Sequence, residues 1–501
     1  MRKHVLSERW TRFEERVRAL RPAAELLEHC NAYAGGYLIT AEPGSLGFDL
    51  PQGWASFRFA GYRLYASPST PVYLSTMDVS ESGALVIGRI FDSDRPADSG
   101  VEIAGRLAEI AADQGVSACD RYISWLSGRY VILLVDGARL HLYGDATNSL
   151  SCYWPARQSV FCVSSHSALV EAVAGPFEST EQRWVMDHPG YNSPGGKYLP
   201  ALVTAYDGVD QLYANCKAVF SPAEVKISRF FPFAGRQEMS YDEAYDMFVS
   251  DLRAQVRFWL SQADISVLGL TAGGDGRAVL TSSLDAFQDA GSIAMTYHFF
   301  DRNPATTYDD LLAANRLAVA AGLPHMTLDI AELSSTSPFA QLYKSTFPVG
   351  ARFPSLAACL YEGLPAAATL FFSIGGEVGT GFYRERDESA ISPALLARKY
   401  TTSRFSSDPS LIAKFEEYMD VTDFCEDQLM GYNFYDMFYW EHRLSKWAAL
   451  GYSEYDLSCI PAVPMNSRRF FAAMHAIPES ERLSGYFYSR LLTDSGVKSP
   501  L

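Results

Sequence analysis

Several features that mark other protein classes are missing from this chain of 501 residues. Its eight cysteines, at positions 30, 119, 152, 162, 216, 359, 425 and 459, include no CxxC pair. Scattered cysteines in a chain of this size are typical of reduced, mostly buried thiols, so we expect a cytoplasmic protein. The nine histidines show no HExxH or comparable spacing, which argues against a zinc site.

Long apolar runs are also missing. The first ten residues lack the apolar core of a signal peptide, and the longest weakly polar stretch, 356–374, is interrupted by Glu362, Gly363 and Pro365. We therefore expect no membrane association. The net charge of −16 argues against nucleic acid as a partner. With 48% hydrophobic and 20% charged residues, the chain suits two or three globular domains.

The first half of the sequence is rich in short segments of β type. Strands are predicted at 57–66, 71–74, 84–90, 129–134, 139–143 and 160–163. Asp136-Gly137 predicts a hairpin between two of them, and helices are predicted over 101–114 and around 181–186. The character of the sequence changes near residue 230, so we divide the chain into domains 1–230 and 231–501.

The second half alternates helices with strands. Ser240 and Glu243 have the spacing of a capping box and predict a helix that continues to about Gln262. The predicted order is then strand 265–270, helix 276–290, strand 292–299, helix 308–321, strand 325–329 and strand 370–374, before a helical remainder. This alternation predicts an α/β domain with a parallel, doubly wound sheet, which binds ligands at the carboxyl ends of its strands.

The first of these strands ends in the most informative segment, Thr271-Ala272-Gly273-Gly274-Asp275-Gly276-Arg277. A strand, a turn of small residues and a helix start direct backbone N–H groups and a helix dipole at one place, which suits a phosphate. The glycines would let the backbone approach the anion, and Asp275 among such donors favours a bound metal ion. No Gly-Lys-Ser/Thr of a P-loop follows, and a tightly packed glycine-rich turn is the alternative.

A second glycine-rich turn, 375–381, follows the strand at 370–374 and contains Glu377. Because both turns belong at one edge of the sheet, we expect Asp275 and Glu377 to hold Mg²⁺ on the phosphates of a nucleotide. Glu377 could instead stabilise the N-terminus of a helix. Thr296 and Tyr297 would flank the base or pack in the core, and a core position is our expectation for His298.

Residues 240–490 resemble the synthetase domain of the asparagine synthetase-like ATP pyrophosphatases. The turn at 271–277 resembles the family's pyrophosphate-binding Ser-Gly-Gly-x-Asp-Ser. Further similar segments follow in the family's order: Asp309–Asn315 leading to Gly322-Leu-Pro-His325, Gly375–Tyr383, His442-Arg443-Leu-Ser-Lys446, and Pro464-Met-Asn-Ser-Arg468. Residues from about 35 to 225 resemble the family's glutaminase domain, through Gly88–Asp92, Gly128–Asp136 and Asp145-Ala-Thr-Asn148.

The resemblance implies a glutaminase-like (Ntn-type) α+β domain, a β-sandwich, followed by an ATP-pyrophosphatase domain with a helical C-terminal part. Such enzymes activate a carboxylate on the α-phosphate of ATP, release pyrophosphate and let an amine attack the acyl-adenylate. ATP and Mg²⁺ are the implied cofactors. Asp275, Glu377, Arg443 and Lys446 are the implied catalytic residues, and the nucleotide site would comprise Leu270, Thr271, Gly273, Gly274, Asp275, Gly276, Arg277, Thr296, Ser373 and Gly375. For Arg277, Arg443 and Lys446, a surface or ion-pair role stays open.

The glutaminase half departs from the family pattern. A working glutaminase of this family needs a cysteine at its mature N-terminus, whereas this chain begins Met1-Arg2-Lys3 and its first cysteine is Cys30. We therefore expect no glutamine hydrolysis and interpret the domain as a retained scaffold.

The ligase half also departs from the pattern. Gly276 replaces a serine, Glu377 replaces an aspartate, and Ile374 stands where asparagine and β-lactam synthetases carry a base. The lysine expected near residues 484–486 is missing, and Lys498 is a poor substitute. The substrate is therefore expected to differ from those of the two named enzymes.

Three functions follow from these observations. The first is an ATP-dependent ligase that joins a small-molecule or peptide carboxylate to a directly supplied amine, as β-lactam and carbapenam synthetases and lasso-peptide cyclases do. Biosynthesis of a specialised metabolite or a modified peptide would be its setting, with a second copy of the chain, or a precursor peptide and its protease, as partners. The second is a non-catalytic homologue that binds a nucleotide as a partner subunit. Glutamine-dependent asparagine synthesis is the third.

Overall fold

In a computed structural model of the chain, the described residues are 32–42, 46–75, 82–157, 160–191, 198–299, 304–349, 352–365 and 367–496. Cys30 and Lys498 lie outside them. Among the described residues, no helix has the length and apolarity needed to cross a membrane. Seven described cysteines are unpaired thiols, and all except Cys425 are buried, as the sequence predicted.

The first half of the chain forms two six-stranded antiparallel sheets. Their strands are β1 Tyr37–Ala41, β2 Ala55–Phe59, β3 Tyr62–Ala66, β4 Val72–Leu74, β5 Ser82–Asp92, β6 Leu126–Asp136, β7 Arg139–Gly144, β8 Tyr153–Pro155, β9 Cys162–Ser164, β10 Val209–Gln211, β11 Cys216–Phe220 and β12 Val225–Arg229. The strand orders are β10-β8-β9-β1-β3-β2 and β12-β11-β7-β6-β5-β4.

Alternation along the strands decides how these sheets pack. Ile39 of β1 and Leu64 of β3 share one apolar cluster with Ile87 of β5 and Leu133 of β6, so the two sheets lie face to face. Residues on the opposite side of β5 and β6, such as Val86, belong to a second, larger cluster. That cluster includes helix Gly100–Gln114, and the other helices of this half are Val116–Ser124, Ser167–Ala174 and Thr180–Asp187.

The second half is built on a five-stranded sheet whose neighbouring strands are all parallel. Its strands are β13 Ser266–Gly269, β14 Ile293–His298, β15 His325–Asp329, β16 Thr369–Phe371 and β17 Ile460–Ala462, in the order β15-β14-β13-β16-β17. From β13 the chain builds outwards to β15, then returns to the other side of β13 with β16. The strand order therefore reverses between β13 and β16, which is where open parallel sheets form their ligand crevice.

Helices make up most of the remaining second half. Their bounds are Tyr241–Ser261, Gly274–Ser282, Leu284–Asp289, Pro304–Ala320, Pro338–Thr346, Pro354–Gly363, Glu377–Thr380, Pro393–Tyr400, Pro409–Thr422, Glu426–Leu429, Phe434–Phe438, Ala449–Tyr455, Arg468–His475, Glu479–Leu483 and Tyr486–Asp494. A 3₁₀ helix spans Arg404–Ser407, and a π-helix spans Tyr439–Ala448.

Most predicted elements are confirmed, with two corrections, and several strands, among them β1, β11, β12 and β17, were not predicted. The capping box is present, since Ser240 accepts the N–H of Glu243 and the Glu243 side chain accepts that of Ser240. The helix predicted over 276–290 is two helices, because Ser283 leaves helical geometry at φ −144° and ψ 38°. The single strand predicted at 57–66 is the hairpin β2–β3, since Ala60 and Gly61 adopt positive φ.

The π-helix Tyr439–Ala448 joins the two halves of the molecule. Trp440 Nε1 donates to the Ala146 carbonyl at 2.6 Å, and His442 Nε2 accepts the Ala201 N–H at 2.8 Å. The Ser445 hydroxyl accepts the Ala214 N–H at 2.9 Å. Glu441 forms a buried ion pair with Arg229. Because these groups are shielded from water, the two halves are held in one arrangement by bonds that are costly to break.

A second buried ion pair across this seam provides a test of the arrangement. Both Nη atoms of Arg129 lie 2.6 Å from the carboxylate of Asp456, and both side chains are less than a tenth exposed. Asp456→Ala leaves a buried cation unpaired, so we expect unfolding free energy, measured by urea denaturation, to fall by about 3–5 kcal/mol. The exposed pair of Arg398 with Glu388 is the control, and Glu388→Ala should cost at most about 1 kcal/mol. Equal losses in the two variants would contradict the role of the seam.

Candidate nucleotide and metal site

The two glycine-rich turns lie together at the carboxyl ends of the neighbouring strands β13 and β16. Helix Gly274–Ser282 begins immediately after the first turn, and its N-cap, Gly273, offers no side-chain hydrogen bond. The N-cap residue therefore provides no side-chain acceptor for the N–H groups of the first helical turn, which lie at the positive end of the helix dipole. This end of the helix has the geometry of an anion site.

The structure brings Asp275 and Glu377 together, as the sequence predicted. Asp275 lies in the first turn of its helix, and Glu377 is the first residue of helix Glu377–Thr380. Gly376 makes the approach possible, because a Cβ atom there would overlap both the Asp275 carboxylate and the Tyr488 hydroxyl. The helix-terminal position that we considered for Glu377 is thus also correct, and it coexists with the pairing.

Electrostatics at this pair favour a cation. Burial, together with the neighbouring Glu377 carboxylate, raises the pKa of Asp275 to about 7, and a hydrogen bond from Tyr488 acts in the opposite direction. Two carboxylates held this close repel each other unless a proton or a metal ion lies between them. In the described part of the chain no group of three or more His, Cys, Asp or Glu residues could hold a metal ion. A metal bound by the pair would therefore need further ligands from substrate or water, which suits Mg²⁺.

Two tyrosines that the sequence did not indicate hold these carboxylates in place. Tyr488 donates to Asp275 Oδ1 at 2.5 Å, and Tyr439 donates to Glu377 Oε2 at 2.9 Å. Tyr488 comes from helix Tyr486–Asp494, the region in which the family pattern predicted a lysine. The signal that the sequence offered was that Tyr488 stands close to residues 484–486, where the expected lysine is missing.

Other groups of the first turn bond to one another. Thr271 Oγ1 accepts the Gly273 N–H at 3.1 Å, and Asp310 accepts the Ala272 N–H at 3.2 Å. Asp310 belongs to the segment Asp309–Asn315 that resembles the family's, but it was not among the predicted site residues. Arg277 Nε donates to the Gly273 carbonyl at 3.4 Å, which places this cation beside the turn.

The other residues predicted for the nucleotide site lie along the same sheet edge. Leu270 and Thr296 are buried, and the Thr296 hydroxyl donates to the Leu270 carbonyl at 2.6 Å. A Cβ atom added at Gly276 would lie 3.8 Å from Ser373 Oγ, so the two turns are in close proximity. Gly375 has φ of 117°, a conformation that favours glycine. Thr296 thus lies in the core, and its hydroxyl already donates its hydrogen to the Leu270 carbonyl.

Arg443 lies within a box of aromatic rings, which is connected to the carboxylate pair through Phe382 and Tyr439. Its guanidinium carbon is 4.6 Å from the ring centre of Phe382, 4.7 Å from that of Trp447 and 5.3 Å from that of Tyr198. Phe382 in turn stacks on Tyr439, the ring that bonds to Glu377. No described acidic residue forms an ion pair with Arg443, so its charge is available to an anion.

Lys446 faces a different part of the molecule. Its Nζ donates to the Val203 carbonyl at 2.6 Å, across the seam between the two halves. Burial lowers the pKa of Lys446 to about 7. The four predicted catalytic residues therefore separate into three places: the pair Asp275 and Glu377, Arg443 in its box of aromatic rings, and Lys446 at the seam.

Comparison with known proteins leaves the family open. No protein-family model and no curated protein matches the chain. Among solved structures, it is similar to the glutamine phosphoribosylpyrophosphate amidotransferase from B. subtilis complexed with ADP and GMP, with 11% identity, a TM-score of 0.22, and coverage of 79% of this chain and 75% of that one. The chain is also similar to a structure of the allosteric regulatory enzyme of purine biosynthesis, with 11% identity, a TM-score of 0.23, and coverage of 79% of this chain and 74% of that one. Likeness at this level carries no argument about fold or function.

The buried Lys446 predicts a specific pH dependence of stability. Its pKa is lower in the folded chain than in the unfolded chain, so the unfolded chain binds the proton more tightly between pH 7 and 10. The stability that this group contributes at high pH is therefore lost as pH falls towards 7. As pH falls from 10 to 7, the unfolding free energy of the wild type should fall, relative to that of Lys446→Met, by up to about 1.4 kcal/mol per pH unit, as measured by urea denaturation.

The exposed Lys226 supplies the control for this measurement. Lys226→Met should follow the wild type at every pH, because this side chain is exposed to water in the folded chain as it is in the unfolded chain. A constant difference between wild type and Lys446→Met from pH 7 to 10 would contradict a depressed pKa.

Proposed function

We propose that this chain is an ATP-dependent ligase that adenylates a carboxylate, releases pyrophosphate and joins the acyl group to a directly supplied amine. The observation that carries the proposal is the pair Asp275 and Glu377, placed beside an uncapped helix N-terminus where the strand order of a parallel sheet reverses. Phosphates and a divalent cation are what such a site attracts. The resemblance of the ordered sequence motifs to adenylating amide synthetases selects this reaction among those of nucleotide sites.

The residues present fit a magnesium nucleotide. Asp275 and Glu377 would be the protein ligands of Mg²⁺, and the N–H groups at the start of helix Gly274–Ser282 would hold the phosphates. Because Gly376 has no side chain, the two carboxylates can lie close together. Gly274 likewise lets the start of its helix lie close to Tyr488, since a Cβ atom added at Gly274 would be 3.1 Å from the Tyr488 ring. When bound, ATP and Mg²⁺ would supply an electrophilic phosphorus and a stabilised pyrophosphate leaving group.

The side chains around the pair have supporting tasks in this proposal. Tyr488 and Tyr439 orient the two carboxylates, as hydrogen-bonded partners of metal ligands do. Asp275 must be ionised to bind a metal, so metal binding would release the proton that burial and Glu377 favour. Arg443, without an acidic partner, would balance negative charge on a phosphate or on the substrate carboxylate. The Ile374 side chain cannot accept a proton, so in this proposal residue 374 does not deprotonate the attacking amine.

The proposal is tested by pyrophosphate release from ATP and Mg²⁺ in the presence of candidate carboxylates and amines. Asp275→Ala should lower the release rate at least about 100-fold, because it removes a metal ligand that acts on the leaving group. The exposed Asp285 is the matched control, since Asp285→Ala removes the same charge from the neighbouring helix and should leave the rate unchanged. Release that does not respond to Asp275→Ala would refute a ligase acting at this site.

Tyr488 gives a finer test of the same geometry. Tyr488→Phe removes only the hydroxyl that bonds to Asp275, and we expect the release rate or the magnesium affinity to fall about 10- to 100-fold. Tyr486→Phe, on the same helix, is the control, because the Tyr486 hydroxyl bonds to Arg490 and lies outside the carboxylate cluster. Equal effects of the two substitutions would show that Tyr488 acts only through packing.

The non-catalytic alternative has its own signature in these experiments. A partner subunit would bind magnesium and ATP and lose that binding in Asp275→Ala, yet release no pyrophosphate with any carboxylate and amine. Calorimetric titration of ATP, run beside the release assay, separates the two functions.

A further inference from the structure

Exposed apolar side chains gather on one helix of the second half. The helix Pro304–Ala320 presents Tyr308, Leu312 and Val319 to solvent. Their exposed fractions, 61%, 53% and 69%, are the three highest among the large apolar residues that the structure describes. The other side of the helix is already covered, since Leu317 is buried in the larger apolar cluster. A helix that is apolar on both sides normally has its outer side covered as well.

The exposed residues form a narrow stripe along the helix. Tyr308, Leu312, Asn315 and Val319 follow one another at intervals of four, three and four residues, which is the spacing of the seam in a coiled coil. Asn315 Nδ2 lies 3.3 Å from His325 Nδ1 of the same chain, so its amide keeps a partner when water leaves the stripe. The spacing is the same when it is read from either end. The stripe therefore fits that of an identical helix running in the opposite direction.

Charge on one flank of the stripe selects this antiparallel arrangement. Asp309 and Arg316 are both exposed, and they lie seven residues, or about two turns, apart on the same side of the stripe. When two such helices pair antiparallel about a two-fold axis, this flank of one helix faces the same flank of the other. Asp309 of each copy then meets Arg316 of the other copy, which gives two symmetric ion pairs. In a parallel pair this flank would face the other flank, where Leu311 and Ala318 carry no charge.

We propose that the stripe is the contact surface of a homodimer, in which the helix Pro304–Ala320 packs antiparallel on its counterpart in a second copy of the chain. Tyr308 of one copy would lie against Val319 of the other, and Leu312 of each copy against Asn315 of the other. Because the contact uses the same patch on both copies, it closes at two. The proposal is independent of the ligase reaction, because it involves neither ATP nor the carboxylate pair.

Sedimentation velocity of the full chain, over about 1 to 100 µM, tests the proposal. One helix pair is a small contact, so we expect a reversible monomer–dimer equilibrium with a dissociation constant in the micromolar range. A chain that stays monomeric over this range would overturn the proposal. Assemblies larger than a dimer would overturn it as well, because a two-fold contact cannot extend further.

Substitutions locate the contact. Leu312→Lys places a charge at the centre of the stripe and should weaken association at least about 30-fold. Val319→Lys is a second variant of the stripe, and both sites are exposed, so folding should be unaffected. Val101→Lys, at an exposed valine of another helix, is the control and should leave association unchanged. Dimerisation that survives both stripe variants would place the contact on another face and overturn the proposal.

Exchange of charges tests the antiparallel pairing. Asp309→Arg and Arg316→Asp each turn two attractions into repulsions, and each should weaken association roughly tenfold. The double variant Asp309→Arg/Arg316→Asp should restore association, because opposite charges face each other again. For the same reason, an equimolar mixture of the two single variants should form dimers. Failure of either rescue would overturn the antiparallel contact.

Discussion

The polar side chains of the π-helix Tyr439–Ala448 impose the main constraint on this molecule. Trp440, Glu441, His442 and Ser445 each make a buried hydrogen bond or ion pair with the first half of the chain. Tyr439, on the same element, bonds to Glu377. Unmaking any of these bonds leaves a polar group without water, so the seam and the carboxylate site are mechanically linked. π-helices are rare and often occur at functional sites, which agrees with this placement.

Buried charges lie on the π-helix and in the carboxylate site that Tyr439 contacts. The pair Asp275 and Glu377 carries excess negative charge, Arg443 carries a positive charge without an acidic partner, and Lys446 brings a second positive charge to an apolar seam. Each of these groups is costly in the ligand-free chain, because burial weakens hydration without supplying a counterion. A ligand of complementary charge would offset the desolvation free energy of such buried groups. The polar core of this protein thus contains charges for which the described residues provide no counterion.

The sequence predicted the elements that local signals define. The strands at 266–269 and 325–329, the capping box at Ser240 and the two glycine turns all follow from apolar periodicity or from turn chemistry, and they meet as expected at one sheet edge. Strands β1, β8, β10, β11, β12 and β17 were missed. Of these, β8, β10 and β17 span three residues, which are too few to show alternation by themselves, whereas β1, β11 and β12 span five. Tyr488 was missed because it contacts Asp275 across 213 residues, a distance at which sequence spacing carries no information.

Lys446 shows a different kind of failure. Arg443 and Lys446 were both predicted as catalytic residues because the segment His442-Arg443-Leu-Ser-Lys446 resembles a family motif. On an α-helix, two residues three apart would lie on one face. The wider i→i+5 turn of the π-helix rotates them further apart, and the two cations face different sites.

The bond between Tyr488 and Asp275 also affects how the protein is made. During synthesis Tyr488 is added 213 residues after Asp275, a delay of roughly 10–40 s at ordinary elongation rates. Throughout that time the glycine turn can fold onto its sheet, but its carboxylate has no hydroxyl to hold it. The carboxylate pair with both of its tyrosine partners is therefore among the last features that a ribosome-bound chain completes.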